Sequence, residues 1–178
     1  MACGKSTLGN ALDAMLPAVR FVDLDAMIEH RAGMSIADIF EREGEEAFRS
    51  LETEALRLAA QPGTIIACGG GTPCRRENMD FMLAAGTVVW LRTDTATTVR
   101  RLLLAPEGQR PILARYPRDP ETLARAVEEL ELKRLPHYSR AHHTFDSSRL
   151  ETAGQIDASA HQFIGQFIDT DNGCTPTP

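Results

Sequence analysis

The sequence predicts an α/β protein, a three-layer parallel sheet with helices on both faces. Three observations predict it. Four short apolar or β-branched runs, at 20–23, 64–67, 87–91 and 143–145, alternate with segments of helical periodicity. The chain opens Met1-Ala2-Cys3-Gly4-Lys5-Ser6-Thr7, and Gly4-Lys5-Ser6 is the closing half of the phosphate-binding pattern G-x-x-x-x-G-K-[ST], which joins a strand to a helix. The 178 residues, 43% hydrophobic, suffice for one good core.

The elements follow in order. Residues 6–16 carry Leu8, Ala11, Leu12 and Met15 at helical spacing and stop before Pro17. Residues 20–23 read as a short buried strand. Residues 25–32 form a helix ended by Gly33, and Ser35 opens another that ends at Gly44. A longer amphipathic helix spans 45–60 and stops at Pro62-Gly63. The strand 64–67 runs straight into Gly69-Gly70-Gly71. Helix 77–85, strand 87–91 and helix 95–104 come next. Residues 105–119 hold three prolines and three arginines and read as a loop. Helix 121–135, strand 143–145 and helix 155–168 complete the domain. The expected organisation is one domain over 1–169, with a lid at about 105–119, and a disordered polar tail over 170–178. A fifth strand is implied upstream of Gly4, because the loop must be entered from one.

Composition excludes several classes. Net charge is −6 and no basic stripe stands out, against a nucleic-acid surface. No apolar run reaches the ~18 residues of a membrane span. The start lacks signal-peptide character, because Lys5 leads into an amphipathic segment. Cys3, Cys68, Cys74 and Cys174 lack C-x-x-C spacing and read as free thiols of a reducing cytoplasm. His142-His143 looks like a metal pair, but adjacent residues do not share a face, and a strand start suits it better.

Several constellations carry chemistry. A helix start leaves backbone donors for phosphate oxygens, Gly4 lets the backbone approach, Lys5 brings a cation, and the Ser6 hydroxyl suits Mg²⁺. Asp23-Leu24-Asp25 closes a strand at the end where parallel sheets bind ligands. One carboxylate can serve a metal and the other a substrate hydroxyl, although an aspartate at Asp25 also suits a plain helix cap. Arg49 and Glu52 lie three apart on one helix face, either as a solvated salt bridge or as an arginine held toward an anionic substrate. Gly69-Gly70-Gly71 suits a ligand lying against bare backbone, or a plain turn. Arg110, in Gln109-Arg110-Pro111, suits a lid cation over a γ-phosphate, or an exposed loop charge. Arg134 stands near a helix end, where a cation is favourable in any case.

Taken in order, the half loop, D-x-D (23–25), F-R-x-x-E (48–52), G-G-G (69–71), lid R-P (110–111) and R-x-P-x-Y (134–138) strongly resemble shikimate kinase, of the nucleoside-monophosphate-kinase-like branch of the P-loop fold. The resemblance runs from about residue 2 to 168. It implies ATP-dependent phosphorylation of shikimate to shikimate 3-phosphate, in aromatic amino-acid synthesis, by a cytoplasmic enzyme acting as a monomer, with ATP and Mg²⁺ as cofactors. It implies that Gly4, Lys5, Ser6 and Thr7 hold the ATP phosphates. Ser6 and Asp23 serve Mg²⁺, and Arg110 closes over the phosphates. Asp25 meets the shikimate hydroxyls and accepts the proton. Arg49 and Arg134 grip the shikimate carboxylate, Gly70 and Gly71 offer backbone to the ring, and Arg149 stacks on adenine. Lys5, Asp25 and Arg110 are thus the catalytic set. Cys68 departs from the hydroxyl residue usual before the glycines. The strand before the loop lies at the centre of this sheet, so about 10 residues are expected ahead of Met1, and without them two strands would expose unpaired edges. Another small-molecule or nucleotide kinase, and an inactive truncated chain that only binds nucleotide, are the alternatives.

Overall fold

Parallel pairing organises the computed structural model, which describes residues 2–105 and 116–168. The elements are α1 (Lys5–Met15), β1 (Arg20–Asp23), α2 (Leu24–Ala32), α3 (Ile36–Arg42), α4 (Gly44–Ala59), β2 (Thr64–Ala67), a 3₁₀ turn (Thr72–Cys74), α5 (Arg76–Ala85), β3 (Val89–Arg92), α6 (Thr95–Leu104), α7 (Pro120–Tyr138), β4 (His143–Asp146) and α8 (Ala153–Phe167). β1 pairs with β2, Arg20 opposite Thr64. β3 pairs with β4, Val89 opposite His143. Both pairs are parallel, so all four strands come from strand–helix crossovers.

Side-chain alternation puts helices on both faces. Ile65 packs with Leu8 and Leu12 of α1 and Phe163 of α8. Its neighbour Ile66 packs with Leu24 and Ile28 of α2 and Leu56 of α4. Successive residues of a strand point to opposite faces, so β2 is covered twice. A third cluster, Val99, Leu102, Leu123, Ala126 and Val127, joins α6 to α7.

The sheet is split among the described residues. β1–β2 and β3–β4 form two separate two-stranded sheets. Between them lies an apolar cleft of about 400 Å³, bordered by Ile65, Ile66, Val89 and Trp90 and floored by Leu8 and Leu12. The edges of β2 and β3 that face this cleft pair with no strand among the described residues.

The boundaries correct the sequence reading in places. α7 does not end at Leu135 but runs through Pro136 to Tyr138. Proline removes one helix donor without forbidding the next turn. That turn closes through Ser139 N–H to the Leu135 carbonyl at 2.9 Å. The Tyr138 hydroxyl also anchors it on the Gly70 carbonyl at 2.7 Å. β3 begins at Val89 rather than Thr87, and the Val88 N–H goes to His142 Nδ1 at 3.0 Å. β4 opens at His143, where the sequence places it, and runs one residue further, to Asp146. The 3₁₀ turn after the glycines was not foreseen. The expected tail at 170–178 lies outside the described residues, as does most of the expected lid.

Candidate active site

The half loop is built as a left-handed turn into a helix. Gly4 has φ +83° and caps α1, a conformation that favours glycine. A Cβ there would also stand 2.5 Å from Leu150 Cδ1. Lys5, Ser6 and Thr7 form the first turn of α1, with the Ser6 and Thr7 side chains exposed. Ser6 Oγ donates to Asp23 Oδ2 at 2.7 Å. Asp23 Oδ1 accepts from Asp25 N–H at 3.1 Å and caps α2. The cap role that the sequence allowed for Asp25 therefore falls to Asp23, and Asp25 sits in the first turn of α2. A hydroxyl and a carboxylate side by side at a phosphate loop are the hard oxygen donors that Mg²⁺ prefers, with water completing its shell. The described residues contain no group of three or more His, Cys, Asp or Glu placed to hold a metal by themselves.

Residues 147–150 lie beside this loop. Arg101 holds them to it. Its Nη1 donates to the Ala2 carbonyl at 3.3 Å, and its Nη2 donates to the carbonyls of Ser147 and Ser148 at 3.2 and 2.9 Å. Arg149 is exposed, and its carbonyl accepts from Ser159 Oγ at 2.9 Å. Arg149 is therefore near the half loop, one residue from Leu150, which closes on Gly4.

The three glycines explain how the second half of the site is packed. A Cβ on Gly69 would meet Glu52 Oε1 at 2.7 Å and Asp25 Oδ1 at 3.1 Å. On Gly70 it would meet Arg134 Nη1 at 2.6 Å, and on Gly71 Arg49 Nη1 at 2.3 Å. None of the three has positive φ. Glycine is needed here for close approach, and what approaches is first the protein's own side chains. The strand end thus brings Asp25, Arg134 and Arg49 together along one run of backbone.

Arg49 is the most constrained of them. Nη1 donates to Glu52 Oε2 at 2.5 Å. Nη2 and Nε reach Glu45 Oε1 at 2.9 and 3.3 Å. Burial pulls the guanidinium pKa down, and the bonds and charges of Glu52 and Glu45 outweigh that and raise it. Glu52 is fully buried and also accepts from Thr72 Oγ1 at 2.7 Å. Asn78 Nδ2 in turn donates to the Thr72 carbonyl at 3.1 Å. A buried carboxylate needs such partners. The solvated salt bridge that the sequence allowed for Arg49 and Glu52 is excluded by this burial.

Beside these groups opens a cleft of about 940 Å³ lined by the cations Arg49, Arg75, Lys133 and Arg134 and by the carboxylates Glu41, Glu45 and Glu46. Glu45 pairs with Arg49 and Glu46 with Arg75, and the cations on this wall suit an anionic guest. The Tyr138 hydroxyl is pushed up to about 12, first by burial, so it stays protonated and donates to Gly70. The Cys68 thiol is likewise pushed up to about 12, mainly by desolvation and then by Glu52, Asp25 and Asp23, against the opposing charge of Lys5. Cys68 is a neutral thiol within electrostatic reach of both Lys5 and Asp25.

Arg110 lies outside the described residues. The structure brings together the other expected residues in two adjoining clusters, Gly4–Thr7 with Asp23 and Arg149, and Asp25 with Arg49, Gly70, Gly71 and Arg134. Sequence reasoning missed Arg101, Thr72 and Asn78. Thr72 directly follows the glycines, a placement that was available as a signal. Arg101 and Asn78 sit in ordinary helical patterns and give none.

Fold and site together define a protein of the P-loop kinase type with an arginine- and glutamate-lined cleft next to the half loop. The shikimate kinase family model matches residues 1–172. A shikimate kinase of Phocaeicola vulgatus is 39% identical over 160 residues, 89% of each chain. A shikimate kinase 2 of an Enterobacter species is 42% identical over 149 residues, covering 83% of this chain and 82% of that one. Among solved structures, shikimate kinase from Bacteroides thetaiotaomicron superposes with TM-score 0.84 at 35% identity, covering 93% and 92% of the two chains. The Acinetobacter baumannii shikimate kinase in complex with shikimate gives 0.78 at 31%, covering 92% and 86%. The chain belongs to the shikimate kinase family.

Proposed function

We propose that this protein transfers the γ-phosphoryl group of ATP to a hydroxyl of shikimate. The observation that carries the reading is the glycine run at the end of β2, packed against Asp25, Arg134 and Arg49 in succession. A carboxylate seated between the two arginines would turn the ring hydroxyls toward Asp25, on the side of Lys5. Phosphoryl transfer depends chiefly on positioning and charge stabilisation. Lys5 and the first backbone donors of α1 hold phosphate oxygens. Asp25 orients the attacking hydroxyl and takes its proton. Ser6 and Asp23 would hold Mg²⁺, which when bound supplies charge neutralisation on the phosphates. Arg149 is assigned to the adenine side and Arg110 to the phosphates.

The cleft between β2 and β3 is assigned to the strand expected ahead of Gly4, which would join the two pairs into one five-stranded sheet. The protein is read as one domain over 1–169, a monomer working in the cytoplasm. Cys3, Cys68 and Cys74 are free thiols. No helix among the described residues is long and apolar enough to cross a membrane.

The test is an acceptor panel with Mg²⁺-ATP, read by ³¹P NMR. A phosphate ester on a shikimate ring hydroxyl, absent with nucleoside monophosphates and with gluconate, is expected. An ester formed on another acceptor and not on shikimate would move the reading to a different small-molecule kinase.

A further inference from the structure

Arg49 has two edges, and the chain itself occupies both. Nη1 is held by Glu52, which is buried and tied to Thr72 and so cannot leave. The side-on edge, Nε and Nη2, is the one that grips both oxygens of a carboxylate. It holds a single oxygen of Glu45, at 3.3 and 2.9 Å. Glu45 lies one helical turn earlier on α4, and its side chain is 66% exposed against 13% for Arg49. It also lines the acceptor cleft. A carboxylate on a solvated tether, bound through one oxygen at the edge made for two, can be exchanged.

We infer that Glu45 is a built-in competitor for the substrate carboxylate, occupying the side-on edge of Arg49 until an incoming carboxylate displaces it. The inference rests on the proposed role of Arg49 in binding the acceptor. Glu45 keeps the guanidinium aimed into the cleft while the site is empty. It also sets a threshold, because only a guest that offers a bidentate anion regains what the exchange gives up. The apparent affinity for acceptor is lowered by the fraction of molecules in which Glu45 holds the edge.

Glu45→Gln tests this, with Glu46→Gln as the control. Glu46 lines the same cleft and carries the same charge, but pairs with Arg75 instead. Binding is read by calorimetry with shikimate and with cyclohex-1-enecarboxylate, which has the ring and carboxylate without the hydroxyls. Glu45→Gln should bind both carboxylates about two- to fivefold more tightly, the scale of a half-exposed charge pair, while Glu46→Gln changes binding less than twofold. In turnover, acceptor KM should fall with kcat and ATP KM unchanged within about twofold, a split expected when ground-state and transition-state binding are altered equally. Unchanged or weaker carboxylate binding in Glu45→Gln would overturn the inference and make Glu45 a support for Arg49. An equal gain in Glu46→Gln would overturn it in favour of a general field effect. Tighter cyclohex-1-enecarboxylate binding without any shikimate binding would keep the Glu45 inference and remove shikimate as the acceptor. Failure of both probes to bind any form would overturn both.

Discussion

Gly71→Ala is the sharpest probe of how the acceptor site is packed. The added Cβ would stand 2.3, 2.7 and 2.9 Å from Nη1, Cζ and Nη2 of Arg49. An ordinary contact begins at 3.4 Å, so the guanidinium must retreat by about 1 Å, within the range of core overpacking strain. It cannot retreat freely. Glu52 holds it on one side, and the Phe48 ring lies 5.3 Å from Cζ. The backbone at Gly71, φ −92° and ψ −21°, suits alanine, so the unfolded-state gain of about 0.4–1 kcal/mol is kept. Overpacking of about 1–3 kcal/mol opposes it. Stability should therefore change by less than about 3 kcal/mol, and the chain should still fold. Function should change more, because a displacement of about 1 Å in a positioning group can lower rate about 100-fold. Shikimate kcat/KM from coupled ADP release should fall at least tenfold, while nucleotide binding stays within about twofold, the scale of a phosphate site left untouched. Retention of wild-type shikimate kcat/KM would refute the packing argument and the placement of Arg49 against the acceptor.

Three further outcomes are expected. Arg49→Ala removes charge-assisted bonding of about 1.5–3 kcal/mol, so shikimate kcat/KM should fall about ten- to a hundred-fold. ATP affinity should change little in that variant, and its collapse would detach Arg49 from the acceptor. Thr72→Val leaves the buried Glu52 carboxylate short of one donor and should destabilise by about 1–3 kcal/mol, read as a lower urea midpoint at unchanged m. Asp94 caps α6 by accepting from Thr97 N–H at 2.7 Å, and this bond holds its pKa below 3.8. The carboxylate therefore stabilises the fold above the unfolded-state pKa, and that contribution is lost as pH falls through the lowered folded-state value. Asp94→Ala should melt lower than the parent at pH 7, with the gap narrowing below about pH 4; a gap that does not vary with pH would assign the loss to something other than the charge.

Much of the site was legible because its chemistry is local in sequence. Gly4-Lys5-Ser6, Asp23-Leu24-Asp25 and Gly69-Gly70-Gly71 each sit at a strand end or helix start, where parallel sheets gather ligands. The strands at 20–23 and 64–67 coincide with β1 and β2 because β-branched and apolar residues there are bounded by Pro, Gly and Asp. What escaped depends on contacts far apart in the chain. The continuation of α7 past Pro136 is supported by Tyr138 reaching Gly70, 68 residues away. Arg101 stitches Ala2 to Ser147 and Ser148 from the last turn of a helix whose pattern shows only amphipathicity. The glycine run pointed to close approach, but which side chains approach is a tertiary fact. Glu45 carried no signal, since a glutamate four residues before an arginine is ordinary on any exposed helix.

The most direct test of the central claim is shikimate-dependent ADP release with Mg²⁺-ATP. It should be measured on the 178-residue chain and on a form extended ahead of Ala2 by an apolar strand of about five residues and the G-x-x that completes the G-x-x-x-x-G-K-[ST] pattern with Gly4-Lys5-Ser6. Saturable release is expected on adding shikimate to the extended form, with far less from the 178-residue chain. Release from neither form at any shikimate concentration, with both folded and binding nucleotide, would contradict it.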